Sequence, residues 1–508
     1  MKKAVVLPIV AAVSGALIGC GGSSGGGGYT PKNVTWSFVE PLRVTQEELN
    51  TDFKGCSIYF NHTSVDDQDF DYFVIGRQAT RQFQVLMHDV DGSIIEEFQP
   101  STTGTVTFDW KTIPEGGYMS VEENEGRNSG SRESFITSFQ KEFVQNMTLS
   151  IRYSQDGNDC VRNESFRYAE SDLDARVALA GGAASYYQTS ASMNQVTGAG
   201  ADNYQAVPVH SDVPATEKKL ATAFRDADGM SYNNFMSYAV FDRSNIYSQE
   251  TGIGSEPVVL MDALSHEEFT ISVASGVAFN RGSVNVVLDN NVYSWQEVFE
   301  QADGLTKSGI VFSDTQLSHW NVLLEGISSD NTGKWTLTTA SALDSTTDVH
   351  FLENYELSSF EQSVATASCV GGASNCVSLA GYAPQGWDVQ RTHVRTKTVN
   401  GRDAFQTIYH TPATEQILLE SVTEYLSVAS NDTVIVGLLD AGDMSDEEAA
   451  LYIAASSYNV DVLSDHSIEP STHKYDVNGL ILGQSGANEL SKTVMKTNSE
   501  LVANSVNW

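Results

Sequence analysis

Hydrophobic and polar residues alternate along most of the chain, in short runs rich in Val, Ile, Thr, Tyr and Phe. Turn-forming residues separate these runs. In FQVLMHDVDGSIIEEF, residues 83–98, Asp91 and Gly92 lie between two candidate strands, and both residue types tolerate the positive φ of a type I′ turn. The same pattern recurs at Asp228-Gly229, Asp289-Asn290-Asn291, Asn400-Gly401, Ser430-Asn431-Asp432 and Asn478-Gly479. The sequence therefore predicts hairpins at these positions and a mainly β protein.

One helix is predicted, from Ser445 to about Ser456. Ser445 and Glu448 have the spacing of a capping box, in which each residue satisfies a backbone N–H at the start of a helix. Four alanines in the segment favour the helical state.

The folded part of the chain divides into three predicted regions. The first covers 29–165, and a Gly-rich interruption near 365–390 separates a β-rich domain at 166–375 from another at 376–508, which contains the helix. Residues 166–508 are long enough for further β-sandwiches or for a β-propeller of seven blades, and both architectures stay open.

Within the first region, three segments carry a family resemblance. DGSII at 91–95, TTGTVTF at 102–108 and IPEGGYMSV at 113–121 resemble the carboxypeptidase-regulatory-like and related Ig-like modules. The resemblance implies an Ig-like sandwich of seven strands over 29–165. Modules of this kind usually serve as spacers or binding platforms.

The first residues have the pattern of an export signal. Lys2 and Lys3 precede an apolar run at 4–17, which is too short to span a bilayer as a helix. The run ends in Leu17-Ile18-Gly19-Cys20, which resembles the lipobox of bacterial lipoproteins. The resemblance implies that residues 1–19 are removed and that Cys20 carries diacylglycerol and palmitate. The alternative is an ordinary signal peptide with a coincidental cysteine.

The residues after Cys20 predict a flexible tether and the membrane in which the protein is anchored. Positions 21–28 contain only Gly and Ser, so 20–28 is expected to be a flexible leash. By analogy with Gram-negative lipoproteins, Gly21 in place of Asp points to the outer membrane. Several acyl chains on one cysteine would anchor the protein stably.

The charge balance excludes one class of partner. The chain has 29 basic and 65 acidic residues, a net charge of −36. Removal of Lys2 and Lys3 with the leader changes the balance to 27 − 65 = −38. Such a charge argues against nucleic acid as a partner and against a body that lies on anionic lipid.

With Cys20 assigned to lipid, four cysteines remain, and they allow three pairings. The most economical pairing joins Cys56 to Cys160 and Cys369 to Cys376. An oxidising compartment favours disulfides over metal, and the close CxxC spacing of a zinc site is absent. The sequence predicts no metal site and no cofactor.

One segment stands out as a candidate binding surface. In QRTHVRTKTVNGR, residues 390–402, the side chains of Arg391, His393, Arg395 and Lys397 would share one face of a strand. This basic stripe could bind anionic sugars, acidic lipopolysaccharide groups or the acidic surface of another copy. Alternatively, it is an edge strand charged against aggregation, or its side chains pair internally with carboxylates.

Catalytic signals are weak. Ser485 in GQSGA, at 483–487, resembles a nucleophile elbow, but Ala487 stands where that motif has Gly. The acidic stretch NHTSVDDQDFDYF at 61–73 offers oxygen ligands for calcium but lacks the EF-hand spacing, which favours a solvated loop. We therefore predict no catalytic residues.

Together these features predict a lipid-anchored outer-membrane protein with a structural or binding role at the cell envelope or surface. In outline it is similar to surface lipoproteins of Gram-negative bacteria, including those that coat appendages such as sheathed flagella. Its expected partners are the membrane, through the anchor, and other envelope or surface proteins or glycans. The alternative is a lipid-anchored hydrolase or carbohydrate-active enzyme on a β scaffold.

Overall fold

The protein is described by a computed structural model with full side chains. The described residues are 31–62, 72–124, 133–152, 154, 159–162, 173–179, 186–189, 192–195, 205–208, 218–228, 231–241, 246–248, 258–262, 267–273, 277–288, 291–299, 305–311, 314, 316–328, 335–343, 349–351, 361–365, 369, 375–380, 385–423, 425–429, 432–442, 444–456 and 500–505. They form a mainly β protein, as predicted.

The strands of the first half of the chain are β1 Asn33–Val44, β2 Ile58–His62, β3 Tyr72–Gln78, β4 Phe83–His88, β5 Ile94–Phe98, β6 Thr105–Asp109, β7 Tyr118–Asn124, β8 Ser134–Gln140, β9 Met147–Ser150, β10 Leu173–Leu179, β11 Tyr186–Thr189, β12 Ser192–Gln195, β13 Gln205–Pro208, β14 Lys219–Asp228, β15 Ser231–Phe241 and β16 Ile246–Ser248. Helix α1 is Gln46–Asn50, and short 3-10 turns lie at Trp110–Thr112 and Lys141–Phe143.

The strands of the second half are β17 Val258–Asp262, β18 Glu267–Val273, β19 Val277–Leu288, β20 Asn291–Phe299, β21 Leu305–Ile310, β22 Leu317–Ser328, β23 Trp335–Leu343, β24 Val349–Phe351, β25 Glu361–Ala365, β26 Cys376–Ala380, β27 Val389–Thr398, β28 Asp403–His410, β29 Glu415–Ile417, β30 Leu426–Ser427, β31 Thr433–Asp440 and β32 Glu500–Ser505. Helix α2 is Asp446–Ser456.

Most of the predicted hairpins that fall on described residues are confirmed. Antiparallel pairs β4–β5, β14–β15, β19–β20 and β27–β28 form at the predicted turns. The turn type at Asp91 differs from the prediction: only Gly92 takes a positive φ, of +84°, and its N–H donates to the carbonyl of Asp89. A type I′ turn needs two such residues, so the prediction of that type was wrong.

Residues 430 and 431 of the turn predicted at Ser430-Asn431-Asp432 lie outside the described residues. Strands β30 and β31, which flank it, both pair with the same strand, β27, and not with each other. The Asp432 N–H donates to the carbonyl of Ala429 at 3.0 Å. The hairpin predicted at Asn478-Gly479 lies outside the described residues.

One sheet of 13 strands, hereafter the large sheet, dominates the described fold. Its order is β20-β19-β22-β23-β32-β31-β27-β28-β8-β7-β4-β5, with β30 paired to β27. It contains strands from all three predicted regions, because β8 pairs in parallel with β28 and β23 pairs with β32. The predicted boundaries at 165 and 375 therefore do not separate independent sheets.

The remaining described strands form four smaller sheets. Strands β2-β3-β1-β6 with β9 make a sheet of five, and a sheet of eight follows the order β12-β11-β14-β15-β17-β10-β13 with β16 paired to β10. Two sheets of three strands have the orders β21-β18-β24 and β25-β26-β29. Propeller blades would repeat a four-stranded unit, and these sheets do not.

Both faces of the large sheet are covered where β27, β28 and β8 lie. On one face, the five-stranded sheet and helix α2 share a core that contains Trp36, Phe139, Tyr409 and Ile453. On the opposite face a second core contains Val394 and Ile408. Burial on both faces gives these strands strong hydrophobic stabilisation, roughly 25 cal/mol per Å² of apolar surface.

The predicted helix is confirmed as α2. The Ser445 side chain accepts from the backbone N–H of Glu448 at 3.3 Å, and the Glu448 carboxylate accepts from the N–H of Ser445 at 3.0 Å. Its alanine-rich face lies in the first core, where Ala449, Ala450 and Ala454 are buried.

Two disulfides are present, in the pairing that the sequence favoured. Cys56 is bonded to Cys160. Cys160 forms an isolated antiparallel β-bridge with Arg77 of β3, and both cysteines are buried in a cluster with Val44 and Ile75. Cys369 is bonded to Cys376 at the start of β26.

Candidate functional site

The basic stripe lies on β27, a strand in the middle of the large sheet. Strand β27 pairs with β28 on one side and with β31 on the other. The interpretation of this segment as an edge strand charged against aggregation was therefore wrong.

The four basic side chains are divided by burial. Arg391 is fully buried and His393 is 2% exposed, whereas the side chains of Arg395 and Lys397 are 44% and 55% exposed. The buried pair lies toward the end of β27 that starts at Val389, where the sheet face belongs to the core shared with α2. The four side chains therefore do not form one continuous surface, because the core beside α2 covers Arg391 and His393.

The exposed half of the stripe pairs with one carboxylate of the neighbouring strand. Lys397 Nζ lies 2.7 Å from Asp403 Oδ1, and the Arg395 guanidinium lies 3.7 Å from the same oxygen. Internal pairing with a carboxylate, one of the alternatives for this segment, is therefore what Arg395 and Lys397 show. Two cations share one anion here, so the hairpin keeps a positive charge at its surface.

Beside Arg395, two stacked aromatic rings on β28 and β8 form an aromatic row. The Arg395 guanidinium lies over the ring of Phe405, with its carbon 5.6 Å from the centroid. Phe405 stacks on Phe135 of β8, and the guanidinium of Arg152 lies 3.9 Å from the centre of the Phe135 ring. Cation–π contacts of this kind contribute roughly 0.5–2 kcal/mol each.

At the β8 end of this row, Arg152 forms a buried ion pair with Glu123. Arg152 is 2.5 Å from the carboxylate of Glu123, and the Arg152 backbone N–H donates to the same carboxylate at 2.7 Å. Burial raises the pKa of Glu123, while the nearby Arg152 charge and its hydrogen bonds act in the opposite direction. The pair is part of the structural frame beneath the row, since a carboxylate buried without its partner is strongly destabilising.

On the opposite face of the large sheet, residues 411–423 form a segment that we call the strap. Its backbone is held by long polar side chains of the sheet. Gln406 donates from Nε2 to the carbonyl of Leu419 at 2.7 Å and accepts from its N–H at 3.0 Å. The N–H groups of Thr411 and Ala413 donate to the side chains of Gln140 and Gln390.

The far end of the strap is held by Glu122, a fully buried carboxylate on β7. It accepts from the Ser421 hydroxyl at 2.6 Å, from the Val422 N–H at 2.9 Å and from the Thr423 hydroxyl. Charge-assisted hydrogen bonds to an ionised acceptor are roughly twice as strong as neutral ones. Glu122 therefore fixes residues 421–423 of the strap to β7.

The strap passes directly over the β4–β5 turn. The Glu420 N–H donates to the carbonyl of Gly92 at 3.0 Å. A β-carbon on Gly92 would lie 3.0 Å from the carbonyl oxygen of Leu418, and the residue has a left-handed φ. Position 92 therefore favours glycine for two reasons: the turn needs a positive φ there, and a side chain would collide with the strap backbone.

Two buried histidines lie at the same end of the sheet as this turn. His88 donates from Nδ1 to the carbonyl of Gly92 at 3.1 Å, and its Nε2 has no hydrogen-bond partner among the described residues. His410 donates from Nδ1 to the carbonyl of Thr411 at 2.8 Å and accepts at Nε2 from Thr392. Burial lowers the pKa of both histidines to about 4. Both are therefore neutral parts of the folded structure at neutral pH.

Cys369, Cys376 and Glu415 bring three potential ligand atoms within 4.8 Å of one another. Both sulfurs are engaged in the disulfide, so the cluster offers no thiolate ligand. It does not form a metal centre in this state.

Several predicted features lie outside the described residues: Cys20 with its tether, Ser485, and the aspartates of the stretch at 61–73. Within the described part of the chain, the helices are too short or too polar to cross a bilayer. The aromatic row and the strap were not predicted, because each depends on contacts between strands far apart in the chain. The two histidines were not predicted either, because their burial depends on the tertiary fold although their hydrogen bonds are short-range.

No protein-family model matches the chain, and the comparison with curated proteins finds no relative.

Proposed function

We propose that the protein is a lipoprotein of the bacterial outer membrane, whose β-rich body has a structural or binding role at the cell envelope or surface. The observation that carries the proposal is the sequence Leu17-Ile18-Gly19-Cys20, followed by the Gly/Ser residues of 21–28. Lipid on Cys20 would hold the folded body to the membrane through a flexible leash.

Two features of the body support this proposal. The Cys56–Cys160 and Cys369–Cys376 disulfides fit an exported protein, because disulfides persist in oxidising compartments. The net charge of −36 fits an exposed and soluble body that stands off an anionic surface. The exposed cations Arg395 and Lys397 supply a local exception to this charge, suited to an acidic protein or glycan partner.

The anchor is tested by metabolic labelling of cells with an alkyne-bearing palmitate analogue, followed by detection on the purified protein. The native chain is expected to carry the label and to fractionate with the outer membrane. The Cys20→Ala variant is expected to lose both properties. A native chain that takes up no lipid would overturn the proposal, whatever its location.

Exposure at the surface is tested by protease treatment of intact cells. Digestion of the native chain in intact cells supports a role at the surface, and protection until the outer membrane is opened supports a role on its periplasmic side. Recovery of the protein in the cytoplasmic fraction would contradict the proposed export.

A further inference from the structure

The described part of the chain starts at residue 31, and Lys32 is firmly attached to the folded body. The Lys32 N–H donates to the side chain of Asp109 at 2.9 Å, and its carbonyl accepts from the Trp110 N–H at 2.8 Å. Its Nζ lies 4.3 Å from the centre of the Trp110 ring and 3.8 Å from the carboxylate of Glu447. These contacts join Lys32 to the end of β6 and to helix α2, so Lys32 moves with the body.

The surface around Lys32 is open to solvent. The side chains of Lys32 and Glu447 are 50% and 48% exposed, and Lys111, next to Trp110, is also exposed. We call the surface formed by Lys32, Lys111 and Glu447 the entry surface, because the chain enters the body there.

The predicted lipid site is close to the entry surface along the chain. Cys20 precedes Lys32 by 32 − 20 = 12 residues. A fully extended chain of this length spans at most about 40 Å. The Gly-rich and Ser-rich composition predicts an average span of roughly 20 Å for these residues. The entry surface of a lipidated chain therefore stays close to the membrane.

Strand β1 leads from the entry surface to the other end of the five-stranded sheet. It runs without interruption over 12 residues, Asn33–Val44, which at about 3.3 Å per residue places its ends roughly 36 Å apart. Helix α1 starts two residues after Val44, and its residue Glu47 is exposed. The distance between the entry surface and α1 is therefore close to the full length of the extended tether.

We propose that the short tether makes the entry surface face the membrane and holds helix α1 away from it. If the body turned over, so that α1 faced the lipid, Lys32 would lie roughly 36 Å from the membrane, and the tether would be almost fully extended. A chain held near its full extension loses most of its conformations, which disfavours the reversed orientation. The end of the body around α1 and the Cys56–Cys160 disulfide is then left for other partners.

Direct attraction between the entry surface and lipid explains this orientation less well. The first turn of α2, which contacts Lys32 through Glu447, also contains Asp446 and Glu448. Anionic headgroups would repel these carboxylates. We therefore attribute the orientation to the length of the tether, and the inference rests on the lipid that we propose on Cys20.

Energy transfer to the membrane tests the inference in the full lipidated chain. A cysteine is added beside Lys32 in Lys111→Cys, or in α1 in Glu47→Cys, and is labelled with a donor fluorophore. Each variant is reconstituted into phosphatidylcholine vesicles that contain an acceptor-labelled lipid. Phosphatidylcholine has no net charge, so the vesicle does not orient the body electrostatically. Transfer is expected to be at least about twofold more efficient from position 111 than from position 47.

A longer tether provides the matched control. An insertion of about 20 Gly and Ser residues after Gly28 raises the extended length between Cys20 and Lys32 to about 110 Å, so that either end of the body can reach the lipid. The labels at positions 111 and 47 are then expected to give similar transfer. The folded body and the lipid site are the same in both chains, so the comparison isolates the effect of tether length.

The outcomes separate this inference from the proposed function. With the native tether, equal transfer from the two positions, or more efficient transfer from position 47, would overturn the inference and leave the anchor intact. A difference that keeps its full size with the long tether would also overturn it, because contact with lipid would then set the orientation. A chain that carries no lipid on Cys20 and does not join the vesicles would overturn both the inference and the proposed function.

Discussion

The ring of Phe405 on β28 stacks on the ring of Phe135 on β8, with centroids 4.9 Å apart and planes 8° apart. One residue comes from the region predicted as the first domain and the other from the region predicted as the last. Their strands are hydrogen-bonded neighbours in parallel register. The contact therefore connects two strands of the large sheet that lie far apart in the sequence.

Replacement of either ring by alanine is expected to lower the free energy of unfolding by about 3–5 kcal/mol, because both side chains are buried. In the double variant the losses are expected to be non-additive by about 1 kcal/mol, the contribution of an aromatic pair beyond its burial. Urea unfolding followed by tryptophan fluorescence measures all three. Tyr425→Ala, which removes an 82% exposed ring, serves as the control and is expected to change stability by less than about 0.5 kcal/mol. Additive losses would contradict direct coupling of the rings.

Glu122→Gln is expected to loosen the strap. The amide has the shape of the carboxylate, but its NH₂ group would face one of the donors that the two oxygens now accept, either the Val422 N–H or the hydroxyls of Ser421 and Thr423. A buried donor left without an acceptor costs roughly 1–3 kcal/mol. Hydrogen exchange should show faster exchange of the Val422 amide, with the rest of the sheet unchanged. The control is Glu420→Gln, an exposed residue with one long bond of 3.3 Å to the Ile94 N–H. Equal effects of the two variants would contradict the role of Glu122.

Acid is expected to destabilise the protein through His88 and His410. Burial lowers the pKa of each to about 4 in the folded state, against 6.5 as the ordinary value. The unfolded chain therefore binds protons first as the pH falls, so stability is complete above pH 6.5 and is lost between pH 6.5 and about 4. The loss is on the order of 3 kcal/mol for each histidine.

The measurement is the urea midpoint between pH 7 and pH 4. In His88→Asn the side-chain amide can still donate to the Gly92 carbonyl but does not titrate, so the slope in this range is expected to be smaller than in the native chain. Burial raises the pKa of Glu123, so protonation of Glu123 changes the stability in the opposite direction over this pH range. The difference in pH dependence between His88→Asn and the native chain is therefore more informative than the pH dependence of either protein alone. Identical slopes would show that His88 does not contribute.

The two disulfides are expected to differ in their contribution to stability. Cys56–Cys160 closes a loop with a sequence separation of 104, and Cys369–Cys376 closes one of 7. In the chain-entropy model the long loop is worth about 4–5 kcal/mol and the short one less than about 3 kcal/mol. Paired Cys→Ala variants, compared by urea unfolding, test this order. A larger loss from removal of the short loop would contradict it.

Local chemistry was readable from the sequence. Alternation predicted a mainly β protein, the Ser445–Glu448 spacing predicted α2, and the turn at Asn400-Gly401 predicted the β27–β28 hairpin. These features depend on neighbouring residues, whose propensities act over a few positions. The lipid site at Cys20 is a prediction of the same local kind and awaits its test.

The tertiary structure decided what depends on distant contacts. The same four basic residues at positions 391–397 became two buried and two exposed side chains, because helix α2 and the five-stranded sheet cover only part of that face. The pairing of β8 with β28 placed Phe135 beside Phe405 and brought strands of the first and last predicted regions into one sheet. Strand pairing over long separations depends on which faces can be buried together, and periodicity along the chain does not encode that choice.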